Sequence, residues 1–449
     1  MQNRILPSKR RHEGGQTILL VAIALVSLLG MAALAIDVVT LYVASSEIQR
    51  AADATALAAA KGVADSGFTT LQSTDPNYAN ASLLAQQMAT AAINAMTSAG
   101  APNLVAGAVP LVVGSPTIDL SHQGDARITV TLNRANLPTF FSKIWGRSAA
   151  SVTATAAAEA YNPANSNLPA FTRIAPTSLK PWLVANVDPL HPTNQLVNPV
   201  NGAVELGVTG EIFNLTADCQ TSGLGSCALL DNPPGIPSVP TGIFQVEYVP
   251  LLVADPSNPK NVCPACTVGP PYEQSIECAD VNTYVTPTCG GGAGANNALW
   301  DNSVNPGGPS GYSATGAECL IHASASGSGN GQDLLNEPLI IFSGPAQITA
   351  KSGPQNGNLV TTSNSIVTIP ILDRSAAIPV TGTLNVTVVG YMQAFINQVD
   401  DGTAGTNPGD INIRVLNVAG CGATPNNAAA AVVGGGGTSP VPVRLITPP

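Results

Sequence analysis

From Thr17 to Ile36 the chain runs 20 residues without a charge, nearly all aliphatic or small, directly after the basic cluster Lys9, Arg10 and Arg11. At about 1.5 Å of rise per residue, such a helix matches a hydrocarbon core of roughly 30 Å. The segment is therefore read as a single transmembrane helix spanning 17–36. Arg4, Lys9, Arg10 and Arg11 lie before it, and Asp37 and Glu47 are the first charges after it. The positive-inside bias then keeps residues 1–16 in the cytoplasm and exports everything beyond Asp37. The competing reading is a cleaved secretory signal, since Ala33-Leu34-Ala35 fits a small-x-small cut. Against it, the apolar run exceeds the usual signal core of about 7 to 15 residues, and helix-forming sequence continues past the cut. Anchoring in the lipid bilayer is favoured.

Between Ile36 and Lys61 there is neither Pro nor Gly, and Ala dominates with Leu, Glu, Gln and Arg. These residues lose little entropy in a helix, so a helical stalk over 37–62 extends the membrane helix outward. Leu34, Val38, Leu41, Ser45, Ile48, Ala52 and Thr55 recur at alternating steps of four and three. That period gives the stalk one packing face, turned either to the chain's own downstream sheet or to the same helix of other subunits. Ala24, Ser27, Gly30 and Ala33 add small residues within the apolar run. Small residues let helices approach closely in lipid, which marks Gly30 as a candidate contact point; Asp37 falls at the outer interface, hydrated or paired with a partner's cation.

The string from Gly14 to Gly62 resembles the N-terminal domain of the TadG-like proteins of Flp pilus assembly, the tight-adherence system. It carries Gly15-Gln16, then the apolar helix, Asp37 and Tyr42, and the run Ile48-Gln49-Arg50-Ala51-Ala52-Asp53-Ala54-Thr55-Ala56-Leu57-Ala58-Ala59-Ala60. A fainter likeness continues through Leu137 to Phe141 and Trp145-Gly146 towards Ala160. The resemblance covers residues 14–62 and implies a bitopic envelope protein accompanying a pilus or secretion apparatus. Its implied partners are other pilus-assembly or pseudopilin-like subunits, and its site residues are Asp37, Tyr42, Gln49 and Asp53, beside Gly30. Some members carry an Asp-x-Ser-x-Ser metal loop, but Asp119-Leu120-Ser121 and Asp301-Asn302-Ser303 lack the second Ser.

With 43 Gly, 37 Pro and only 10% charged residues, the chain spends much of its length in turns. Once residues 1–13 are set aside, 13 basic and 26 acidic side chains leave a charge of −13 on the remainder. Phosphate binding needs a basic surface, so no nucleic-acid partner is expected.

All eight cysteines, Cys219, Cys227, Cys263, Cys266, Cys278, Cys289, Cys319 and Cys421, fall on the exported side. Their even number and placement suit structural disulfides. Pairing is open, with Cys219 to Cys227 the most local choice. Cys263-Pro264-Ala265-Cys266 also admits a zinc half-site recruiting Cys278 and Cys289, or a redox motif. Pro264, Pro270 and Pro271 make that region read as a loop, which weakens the redox reading.

Beyond the stalk, a second helix is predicted over Tyr78 to Met96, with Leu83, Leu84, Met88, Ala91, Ala92 and Ala95 on its apolar face. Strands follow at Leu104 to Val113, Ile128 to Leu132 and Val152 to Ala160, with a short helical turn after Pro138. From Asn162 onward Pro, Asn and Gly dominate, and no helical period is sustained. The firmest strands there are Ser365 to Leu372, Thr383 to Ile396 and Ile411 to Val418. The loop from Asp400-Asp401-Gly402 to Asp410 reads as a solvated hairpin rather than a calcium loop. The expected order is thus a membrane helix and stalk, an α+β pilin-like head over 63–161, a β-rich disulfide-containing extracytoplasmic domain over 162–420 and a flexible tail over 421–449. Val441 to Ile446 is a candidate edge strand within that tail.

No Gly-x-Ser-x-Gly elbow, His-Glu-x-x-His or Walker lysine loop occurs. Cys319 and His322, three apart, are the nearest thing to a nucleophile and base, and His122 and His191 have no partners that single them out. No catalytic residue, cofactor or metal ligand is expected. The sequence therefore reads as a membrane-anchored envelope protein with a structural or assembly role. A membrane-tethered binding or adhesion module is the alternative, and an extracytoplasmic hydrolase a distant third.

Overall fold

The structure is a computed structural model. It describes residues 14–97, 112–114, 116–121, 124–139, 143, 146, 149–162, 173–175, 178–191, 193–217, 244–251, 261–266 and 269–279. In the C-terminal part it describes 298–300, 311–322, 332–336, 347–358, 360, 363–373, 384–400, 409–421, 432–434 and 441–448. By contacts the chain divides into two compact units: residues 1–54, 95–116 and 130–156 form the first, and 55–94, 117–129 and 157–449 the second.

Helix α1, Gly14–Asp65, is a single run of 52 residues, about 78 Å long. Within the first unit its character changes along its length. Ile18 to Val43 presents large aliphatic side chains to the outside, Val26 and Leu28 among the most open. From there Ala44, Ile48, Ala51 and Ala52 turn inward and are buried. On that lower stretch Arg134 donates to Glu47 at 2.9 Å, and Gln49 reaches the carbonyl of Thr155 at 3.5 Å. The packing face is therefore covered by the chain's own sheet. It is also rotated from the expected stripe: Ile48, Ala52 and Thr55 are buried, but Leu34, Val38 and Ser45 are exposed. The shift reflects cover by a sheet, which selects the small Ala side and leaves the bulkier aliphatics outside.

The sheet is built from β1 (Val112–Val113), β2 (Thr117–Asp119), β3 (Asp125–Pro138) and β4 (Ala149–Tyr161). β3 lies between β1 and β4, and β2 pairs with it antiparallel near its start. Ile128, Val130 and Leu132 of β3 are fully buried, in the alternation their sequence displays. Of the predicted strand Leu104 to Val113, residues 104–111 lie outside the described residues and 112–113 form β1, and most of the helical turn after Pro138 also lies outside them.

In the second unit α1 ends against α2, Tyr78–Thr97. Gly62 makes the crossing tight, since a Cβ there would lie 3.0 Å from the Met88 backbone. The buried face of α2 holds Ala81, Leu84, Ala85, Ala89, Ala92 and Ile93. Leu83, Ala91 and Ala95, expected on that face, are exposed; the alanine-rich pattern offered several faces of similar hydropathy, and packing chose among them.

The bulk of this unit is a closed six-stranded barrel. Its strands are β5 (Trp182–Ala185), β6 (Ile212–Ala217), β7 (Phe244–Pro250), β8 (Ile366–Leu372), β9 (Val388–Val399) and β10 (Ile411–Gly420). Around the barrel the order is β8-β9-β10-β6-β7-β5, with β5 to β8 and β6 to β7 parallel and the remaining pairs antiparallel. Alternate residues point inward: Trp182, Val184, Phe213, Leu215, Val246, Tyr248, Ile369, Ile371, Met392, Ile396, Ile413 and Val415 share one core. Closure removes the open edges that these strands would otherwise expose.

Two short helices absent from the sequence reading, α3 (Pro271–Glu277) and α4 (Tyr312–Ile321), add Tyr272, Ile276, Ala317, Leu320 and Ile321 to that core. Pro271, read as a loop residue, instead opens α3, where its missing N–H costs nothing. Ser313 of α4 takes the indole N–H of Trp182 at 3.2 Å and pairs with the hydroxyl of Tyr272 at 3.0 Å. β11 (Val443–Ile446) completes the edge of β4. Buried Glu159 holds Arg444 there through a 2.6 Å bond from Nε. Chain on either side of residue 162 is thus shared within one unit.

A polar seam joins the segment after α1 to the outside of the barrel. Val418 donates its N–H to the hydroxyl of Thr70 at 3.2 Å, Thr70 donates to Asn417 at 3.3 Å, and Asn417 donates to Gln393 at 2.6 Å. Asn162 adds a 3.0 Å bond to the Val418 carbonyl. These groups are buried, so losing one partner strands another. Asn417→Ala is expected to destabilise the protein by about 1–3 kcal/mol, and Gly62→Val by a similar amount through overpacking against Met88, both read as lowered unfolding midpoints of detergent-solubilised protein.

Candidate functional site

The helix that carries the family-like motif separates its named residues by environment. Gly30 lies half-exposed in the apolar run, and Tyr42 stands open at 76% exposure. Val38, Val39, Tyr42 and Val43 form an exposed ridge at helical spacing. Asp37, expected at a hydrated interface or facing a partner, is instead 4% exposed and enclosed by its own chain. It lies on the side that continues into Leu41, Ala44 and Ile48, where the fold covers the helix. Gln49 donates to Asp53 at 2.8 Å, an i,i+4 bond that holds its amide beside Thr155.

Among the described residues one helix, Thr17–Asp65, is long and apolar enough to cross a membrane, and none of its most apolar window is buried. Towards its end Lys61 and Asp65 form an ion pair. Burial pushes the Asp65 carboxyl upward, opposed by the Lys61 charge.

The cysteines define a second structural site. Cys263 is bonded to Cys278 and Cys266 to Cys319, closing separations of 15 and 53 residues. Cys421 is also oxidised, and no described cysteine is free. The two cysteines of the Cys-x-x-Cys string therefore belong to different bridges, which overturns both the zinc half-site and the redox reading. Cys319 likewise has no thiol with which to act as a nucleophile, and His322 faces Glu318 at 3.1 Å. Cys219, Cys227 and Cys289 lie outside the described residues. The first bridge ties the segment before α3 to its C-cap, and the second ties that segment to α4.

Sequence reasoning missed a cluster beside the barrel. Asp188, fully buried after β5, accepts the N–H groups of Leu190 and His191 at 2.8 and 3.1 Å, and its other oxygen lies 2.9 Å from His191 Nδ1. Glu211, at the entrance to β6, is 9% exposed, and its Oε2 is buried without a hydrogen-bond partner. Burial first, then the neighbouring carboxylates of Asp188 and Glu205, lift the Glu211 carboxyl to about 8. Asp188-x-x-His191 was the only trace in the sequence; Glu211 is brought to it by the barrel. At the ends of the β9–β10 hairpin, Asp400 accepts from Asn214 at 2.6 Å and Asp410 from Gln245 at 3.0 Å. Both are buried, so these hairpin ends are not solvated as expected; residues 401–408 lie outside the described residues.

Residues 15–62 match the family model Tad, described as "Putative Flp pilus-assembly TadE/G-like". The matched segment is nearly all of α1, so the family likeness coincides with this membrane-length helix. No curated protein and no solved structure matches the chain.

Two outcomes are expected. Digestion under non-reducing conditions should release peptides linked Cys263 to Cys278 and Cys266 to Cys319, and the Cys266→Ser/Cys319→Ser pair should cost about 2–4 kcal/mol of stability. With divalent cations chelated, stability should fall as pH rises from about 4.5 to about 8. Over that window the unfolded chain gives up the Glu211 proton first, whereas below it both states hold the proton. Glu211→Gln should flatten this part of the profile in thermal-melt measurements.

Proposed function

We propose that this chain is a single-pass bacterial inner-membrane component of a Flp-type pilus or related secretion apparatus, with a structural or assembly role. Its N-terminus is cytoplasmic and its bulk periplasmic or extracellular. In this reading the sheet, with the helix packed on it, serves as a pilin-like head, and the barrel is the exported part that the anchor presents. The supporting observation is the coincidence of the TadE/G-like segment with a helix exposed and apolar at one end but buried in protein at the other.

The mechanism is positional. The apolar residues from Ile18 to Val43 hold the subunit in lipid, and partners meet the chain through the open side of that stretch. Gly30 permits close helix approach, and the ridge of Val38, Val39, Tyr42 and Val43 continues that open side to its outer end. The alanine face at Ala44, Ile48 and Ala52 is unavailable to partners because the fold already uses it.

Topology tests the anchor. A reporter enzyme active only outside the cytoplasm, fused after Gly62, should be active, and the protein should need detergent rather than salt for extraction. Cytoplasmic activity at that junction ends the reading. Photo-crosslinkers at Val39 and Tyr42 should capture other subunits in cells bearing the apparatus, whereas one at Ile48 should not. Gly30→Leu should leave insertion intact and weaken the crosslinks by about 1–2 kcal/mol, roughly tenfold.

A further inference from the structure

The cluster of Asp188, His191 and Glu211 lies apart from the helix to which anchoring is ascribed, and its composition is unusual for a structural contact. Two acidic side chains, both at least nine-tenths buried, face one another with an imidazole at their open side. A carboxylate Oε2 shut away from water without a donor carries a desolvation cost that a native fold normally offsets with a partner. One candidate ligand atom from each of the three residues can be chosen so that all lie within 4.8 Å of one another. We propose that these three residues bind one divalent transition-metal cation, of the class represented by Zn2+.

The donor set identifies the class. Two carboxylates and a neutral imidazole carry a charge of −2, which a dication cancels where burial of both carboxylates weakens screening by water. Calcium and magnesium prefer oxygen donors throughout, whereas zinc takes imidazole nitrogen and carboxylate oxygen together at about 2.0–2.2 Å. Tetrahedral ligands at such distances stand roughly 3.3 Å apart. His191 Nδ1 and Asp188 Oδ2 are already 2.9 Å apart. The exposed His191 ring can adjust, while the Asp188 carboxylate is held by the N–H groups of Leu190 and His191.

The backbone at both carboxylates is fixed independently of any ion. Asn186 clamps Val197 through both ends of its amide, at 2.7 and 2.9 Å. Asp188 donates its N–H to the Asn194 carbonyl at 3.1 Å, and Val415 donates to the Glu211 carbonyl at 2.9 Å. Glu205, the remaining nearby acid, accepts from Asn194 at 3.0 Å and so stands behind the site rather than in it. An ion here would clip the 186–198 loop to the start of β6. Three protein donors leave a fourth position for water.

The test uses untagged full-length protein in detergent, stripped with chelator and dialysed, then titrated calorimetrically with Zn2+, Ca2+ and Mg2+ separately. Zinc should bind at one equivalent per chain and raise the unfolding midpoint by about 5 °C when present at a hundredfold excess over Kd. His191→Ala, whose ring is exposed and whose loss leaves the packing intact, should weaken zinc at least tenfold, as should Glu211→Gln. Circular dichroism of both variants should match that of the parent. Absence of one-to-one binding overturns the proposal and leaves a proton shared between Glu211 and Asp188 as the resolution of the pair. Zinc binding unaffected by both substitutions, or calcium binding as tight as zinc, overturns it equally.

Discussion

The burial of one small-residue face of α1 is the contact on which the rest of the architecture depends. A helix of 52 residues cannot be kept straight and specific by propensity alone; tertiary packing must fix it. Ala44, Ala51, Ala52, Ala56, Ala59 and Ala60 bring the backbone close to what covers it, and Gly62 removes the last Cβ where α2 crosses. Each alanine contributes little apolar area, so the stability comes from close approach repeated over five turns rather than from large side chains. The same helix uses Leu, Ile and Val where lipid is the expected solvent. Its two halves are written for two environments.

Beyond the helix the chain meets a different constraint. With 10% charged residues and many Pro and Gly, it has few of the surface charges that usually protect open strands. Closing six strands into a barrel answers that need, and disulfides fasten the helices at its end. The polar seam of Thr70, Asn162, Gln393 and Asn417 supplies specificity where an apolar contact of Ala and Val would slide. The bonds made by Thr70, Asn162 and Asn417 favour one register and penalise others, while the amide nitrogen of Gln393 is left without a partner.

Much of this was legible in the sequence because the relevant signals are local. The membrane-length run, the alternation in Ile128 to Leu132 and in Ile411 to Val418, and the motif from Gly15 to Ala60 each lie within one stretch of chain. What escaped depends on contacts between distant segments. The buried face of α2 could not be picked from alanines of equal hydropathy, and α3 and α4 are too short to show a period. The bridges of Cys263 and Cys266 to separate partners require knowing that α4 folds back beside α3. Glu211 meets Asp188 and His191 only once β5 and β6 are placed in the same barrel.

Asp37 shows how local and distant information combine. By sequence it is the charge that ends the apolar run, and hydration at the membrane surface explains it cheaply. In the folded chain the carboxylate is enclosed, while Val38, Val39, Tyr42 and Val43 on the opposite side stay apolar and open. The helix therefore does not change from lipid-facing to water-facing at one residue. One side passes into protein at Asp37, and the other stays apolar for almost two more turns. Moving the helix outward would expose that ridge to water, and moving it inward would carry the enclosed side at Asp37 into hydrocarbon. Both displacements cost free energy, so the asymmetry fixes the depth at which the anchor sits more sharply than the length of the apolar run alone.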